Sequence, residues 1–143
     1  MHLTDHTDYS LRVLIYLNEQ KRLITLNELA EKVGVSKNNL IKVSNQLAKL
    51  GYIETSRGRA GGLWINKDTG KRTLKSIILQ TEESFNIAEC FADTKCKCYF
   101  MKLCPLKKRL KEALNAFLDS LEKTTLDEVT PKSASEPLAE MNG

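Results

Sequence analysis

The chain has 143 residues, 41% of them hydrophobic, which is enough for one compact domain plus an extra helix and argues against wholesale disorder. No apolar run approaches the roughly 20 residues that cross a bilayer, and Met1-His2-Leu3-Thr4-Asp5 lacks the basic start and apolar run of a secretory signal, so a cytoplasmic protein with no membrane partner is expected. The net charge is +4, but residues 36 to 75 hold nine cations against Glu54 and Asp68; that stretch carries +7 and the remainder −3. This asymmetry fits a surface that meets a polyanion, and equally a solvated basic face.

Residues Tyr9 to Leu17 are mostly apolar and predict a buried first helix. Thr25 with Glu28 three residues on predicts a capping box opening a second helix, with Leu26, Leu29, Ala30 and Val33 turned inward and Gly34 ending it. Ser36 is expected to cap a third helix reaching about Leu50, whose core residues would be Leu40, Ile41, Val43, Leu47 and Leu50. Two helices joined by a turn at Gly34 form either a plain helical hairpin or a helix-turn-helix. Ser36-Lys37-Asn38-Asn39, with Lys42 a turn further on, favour the second, because amides and cations there meet base edges and phosphates. Tyr52–Thr55 and Leu63–Ile65 read as two short strands around Ser56-Arg57-Gly58-Arg59-Ala60-Gly61-Gly62. A glycine-rich tip carrying Arg57 and Arg59 is the wing of a winged helix, suited to a narrow minor groove, although a merely flexible, soluble hairpin has the same composition.

Asn66–Arg72 reads as a polar connection and Thr73–Gln80 as a short helix docked on the core. All four cysteines, Cys90, Cys96, Cys98 and Cys104, then fall within fifteen residues, interleaved with Lys95, Lys97 and Lys102. The lysines argue against burial and favour the thiolates that metals require. Gaps of five, one and five residues fit a zinc ribbon poorly; an iron–sulfur cluster, zinc and redox-active thiols all remain open. Pro105 can open a helix carrying Leu106, Leu110, Ala113, Leu114, Phe117, Leu118 and Leu121, one apolar stripe fit to pack on a second copy, or else on the chain's own winged helix. Residues 130–143 are expected to be disordered. With two histidines, both in the first six residues, and no phosphate-binding glycine loop, no enzyme is expected.

Several segments together resemble one family. They are Leu3-Thr4 with Thr7-Asp8-Tyr9-Ser10-Leu11-Arg12, Gly34-Val35-Ser36-Lys37-Asn38, Gly51-Tyr52 and Arg57-Gly58-Arg59-Ala60-Gly61-Gly62. These are similar to the iron–sulfur winged-helix repressors that include NsrR and IscR, over about residues 1 to 129. Phe85-Asn86-Ile87-Ala88-Glu89-Cys90-Phe91, Cys104-Pro105-Leu106-Lys107 and Thr124-Thr125-Leu126-Asp127 favour the NsrR branch. The resemblance implies a homodimeric repressor of double-stranded operator DNA whose cluster, expected as 4Fe-4S, reacts with nitric oxide. It implies Cys90, Cys98 and Cys104 as cluster ligands, with Asp8 from the partner subunit as the fourth. Cys96 departs from the family's usual three cysteines and is a spare thiol or an alternative ligand. His6 is an imidazole rival to Asp8, and Lys107 and Lys108 stand where an IscR-type histidine would follow the last cysteine.

The expected fold is mainly α, divided into a winged helix-turn-helix at 1–81, an iron–sulfur-binding loop at 82–104, a dimerisation helix at 105–123, and a short helix with a disordered tail at 124–143. The DNA contacts expected are Ser36, Lys37, Asn38, Asn39, Lys42, Arg57 and Arg59. Other readings are a redox or iron–sulfur-status regulator of the same fold, a zinc-stabilised DNA-binding protein without sensing, and an electron carrier.

Overall fold

The computed structural model describes residues 1–92 and 95–132. It is mainly helical with one antiparallel hairpin, as expected. Helix α1 spans Asp5–Gln20, longer at both ends than its apolar run. Thr4 caps it, and the Thr4 backbone N–H and hydroxyl also donate to Glu82, each at 3.1 Å, which ties the start of α1 to the far end of the head. Helix α2 is Leu26–Val33 and helix α3 is Lys37–Lys49, capped by the hydroxyls of Thr25 and Ser36; Gly34 between them adopts φ 67°. Half of the expected capping box is absent. Thr25 does accept the Glu28 N–H at 3.2 Å, but the Glu28 carboxylate turns outward to Arg22 at 2.5 Å and Tyr16 at 2.9 Å. A guanidinium is the stronger partner for a carboxylate than a cap N–H.

Strands β1 (Ile53–Ser56) and β2 (Gly62–Ile65) pair with Glu54 opposite Trp64 and Thr55 opposite Leu63. Ile24 adds a one-residue bridge to Leu63, both N–H···O distances being 2.8 Å. The polar connection that follows contains a 3-10 turn, Thr69–Lys71, whose Thr69 hydroxyl donates to the buried Tyr52 carbonyl at 2.7 Å. Helix α4 (Leu74–Thr81) is capped by Thr73. A short α5 (Glu89–Ala92) precedes the long α6 (Pro105–Glu122), which begins at Pro105 as expected and packs on α4. Helix α7 (Leu126–Val129) folds back onto α1.

One core joins these pieces: Val13, Leu14 and Leu17 of α1, Leu29, Leu40, Val43 and Leu47 of the helix pair, Tyr52, Ile53 and Leu63 around the hairpin, Ile77 of α4 and Leu126 of α7. Ile41 is not part of it. It was expected inside, yet it is 47% exposed, because Leu40, Val43 and Leu47 already fill the inner face of α3 and Ile41 falls beside it. Thr130, placed by the sequence in a disordered tail, is instead packed: Asn18 donates to its hydroxyl at 2.9 Å, and that hydroxyl donates to the Leu126 carbonyl at 2.7 Å. Residues 133–143 of that expected tail lie outside the described residues.

Candidate functional site

Two sites stand on this frame, one at the tip of the head and one where the head meets α6. At the tip, the N-terminal turn of α3 presents Lys37, Asn38, Asn39 and Lys42, all exposed. The Ser36 hydroxyl faces inward to this turn, accepting the Asn39 N–H at 3.4 Å, so its cap role is built into the helix start. The wing tip from Arg57 to Ala60 is exposed, and Gly58 at φ 101° makes a reversal that an L side chain would strain. Lys37, Lys42, Arg57 and Arg59 therefore share a surface built from α3 and the wing. Two other cations of the basic stretch are engaged elsewhere. Lys75 bridges Asp119 at 3.6 Å and Glu122 at 3.8 Å on α6, and Arg72 stacks 5.5 Å over the Tyr52 ring. Burial pushes the Tyr52 hydroxyl above its usual value, and that hydroxyl is bonded to Gln80. Sequence reasoning missed Asn45, which is exposed one turn beyond Ile41 and belongs to the same surface; only its i+4 spacing marks it.

The second site is the segment that carries the cysteines. All four are free thiols. Cys104 caps α6, its Sγ accepting the Lys107 N–H at 3.3 Å. The same Lys107 donates from Nζ to the Cys90 carbonyl at 2.7 Å and lies 5.5 Å over the Phe91 ring. Lys107 thus draws together Cys90 on α5 and Cys104 on α6, the first and last members of the expected set. Cys98 is exposed and its carbonyl accepts the Met101 N–H at 3.1 Å; Cys96 is half-buried. Among the described residues no three His, Cys, Asp or Glu side chains stand close enough to share one metal ion. The donor chemistry nonetheless fits an iron–sulfur cluster: reduced thiols on a short, mostly exposed segment, with one lysine joining the Cys90 backbone to the Cys104 sulfur.

Asp8 and His6 stand on the first turns of α1, engaged within the head. Asp8 grips Arg12 in a two-point ion pair, Oδ2 to Nη2 at 2.5 Å and Oδ1 to Nε at 3.1 Å, and this partner pushes the Arg12 guanidinium above its usual value. Arg12 also donates to the Val33 carbonyl at 3.3 Å. His6 bonds to Gln46 of α3, a short contact that occupies its ring.

A winged helix-turn-helix with a basic face over α3 and the wing defines a DNA-binding transcription regulator. The chain belongs to the Rrf2 family, described as iron-dependent transcriptional regulators, whose profile matches residues 3–132. Over 131 residues it is 43% identical to the HTH-type transcriptional regulator NsrR of Bacillus licheniformis, covering 90% of this chain and 92% of that protein. Over 128 residues it is 44% identical to the NsrR of Bacillus subtilis, covering 88% of each. Its fold is that of oxidized Staphylococcus aureus CymR, with a TM-score of 0.68 over 91% of this chain and 96% of that one at 24% identity. The family and these relatives are regulators rather than enzymes, in agreement with the sequence. No helix of the described residues is long and apolar enough to cross a membrane.

Proposed function

We propose that this protein is a homodimeric repressor that holds an iron–sulfur cluster of the 4Fe-4S type, works in the cytoplasm, and leaves its operator when nitric oxide attacks the cluster. Cys90, Cys98 and Cys104 would hold three irons and Asp8 of the partner subunit the fourth. When bound, the cluster supplies iron open to nitric oxide at the weaker oxygen ligand. The observation that carries this reading is the chain of contacts from Asp8 through Arg12 to the Val33 carbonyl, at the end of α2 and beside the Gly34 turn. Through these contacts a change at Asp8 would reach the joint between the two helices of the reading head.

The cysteine side is anchored as firmly. Cys104 caps α6, and α6 packs on α4 with Lys75 bridging to Asp119 and Glu122. The apolar side of α6 supports the dimer: no residue of this helix is buried, with Leu106 at 64% and Phe117 at 40% exposed, which leaves a surface for a second copy. Two heads held at a fixed spacing engage two half-sites together, so a bias of about 1–3 kcal/mol in head orientation changes affinity roughly 5–150-fold. Gel-shift titration of anaerobic holoprotein, nitric-oxide-treated protein and apoprotein tests the reading. Tightest binding by the holoprotein is expected; equal affinity in all three overturns it.

A further inference from the structure

The outer face of α3 carries Asn38, Ile41, Lys42 and Asn45, spaced by three and four so that they lie together. Three are polar, as a face that meets nucleic acid demands. Ile41 is not, and at 47% exposure it sits in the middle of them. Beside it runs a groove of ≈ 260 Å³ between α3 and the wing, walled by Ile41, Asn45 and Thr55 and floored by Ser44. Ser44 is 4% exposed, and its hydroxyl is closed to solvent with no hydrogen-bond partner among the described residues. The cations that flank the groove, Lys37 and Lys42 on one side and Arg57 and Arg59 on the other, match a duplex phosphate backbone in charge.

An exposed isoleucine amid polar neighbours gains nothing from water, and its burial is favourable only against another apolar group. The major groove of DNA offers one such group on its base edges, the 5-methyl of thymine. We propose that Ile41 reads a thymine in each half-site by packing on that methyl. The proposal rests on the DNA-reading function above and adds to it the base recognised and the residue that recognises it.

The test uses the holoprotein throughout. A consensus operator is first selected from a pool of random-sequence duplexes, and each thymine in it is then replaced singly by deoxyuridine, which lacks only the methyl. For the parent protein, one replacement per half-site should weaken binding about fourfold, the worth of one buried methyl. In Ile41→Ala the same replacement should change nothing, and in Ile41→Val it should retain part of its effect. Thermal unfolding of both variants should match the parent, since Ile41 lies outside the core. The proposal is overturned if the parent binds its operator but tolerates every deoxyuridine, as packing on a sugar would allow, or if Ile41→Ala keeps the parent's sensitivity. A parent that enriches no sequence at all refutes the DNA-reading function itself, and this inference with it.

Discussion

Replacing Lys107 by Met keeps a long side chain and removes its charge, and this should loosen Cys90 from α6. Two contacts are lost, the 2.7 Å bond to the Cys90 carbonyl and the ammonium placed 5.5 Å over the Phe91 ring. Hydrogen bonds to charged groups contribute about 1.5–3 kcal/mol and exposed cation–π contacts about 0.5–1. Lys107 is only half-buried, so water competes for it; about 1–2 kcal/mol remains to hold the Cys90 turn against the helix. Opening of that turn should therefore rise about 5–30-fold. The bond from the Lys107 backbone N–H to Cys104 Sγ survives the change, so the loss is confined to the Cys90 end. Hydrogen–deuterium exchange of the apoprotein reads this directly in peptides covering residues 89–92. Anaerobic release of iron to a chelator reads the same opening in the holoprotein. Faster exchange and faster release are expected, with Lys107→Arg restoring much of both. An unchanged exchange rate in Lys107→Met would refute the reasoning, because the lysine would then not tether the segment.

Arg59→Ala and Lys37→Ala should each weaken operator binding and lower the salt dependence by about one unit per phosphate contact, read from affinities across a salt series. Phe117→Glu places a charge on the exposed side of α6 and should shift the protein from dimer to monomer by light scattering; an unaltered dimer would place the interface elsewhere. Glu28 is held below its usual value first by Arg22 and then by Tyr16, so the stability it contributes is complete above the ordinary carboxylate range and is lost as pH falls through its lowered value. The gap in unfolding temperature between the parent and Glu28→Gln should accordingly be widest near neutrality and close in acid. Leu126→Ala should cost about 2–5 kcal/mol in urea unfolding, since Leu126 is wholly buried in the core of the head.

What could be read from the sequence was local. Thr25 and Ser36 each cap the helix that their spacing predicts, because a cap involves residues three apart. The hairpin and its basic tip were legible for the same reason. Ile41 was not: apolarity alone assigns it to the core, and only the crowding of Leu40, Val43 and Leu47 shows that the inner face is full. Glu28 had two possible partners, and the sequence shows the nearer cap but not Arg22 folding back from the loop before the helix. Within the cysteine site, family resemblance supplied the residue types, but the link through Lys107 joins the side chain of one helix to the carbonyl of another. Such a contact has no sequence periodicity to betray it.

The return of α7 has a consequence for how this protein is made. Asn18 donates to both Asp127 and Thr130 at 2.9 Å, and Leu126 completes a core begun by Val13 and Leu14. Gly70 clears the way, since a Cβ there would stand 2.1 Å from an oxygen of Asp127. The head therefore cannot close on the ribosome until residue 130 has left the exit tunnel, and by then the cysteine segment and α6 are already outside. Synthesis order brings the thiols out of the tunnel before the reading head has its final shape. A head severed after α4 would be missing a wall of its own interior, so this winged helix is not a cassette that can be moved between regulators without its last helix.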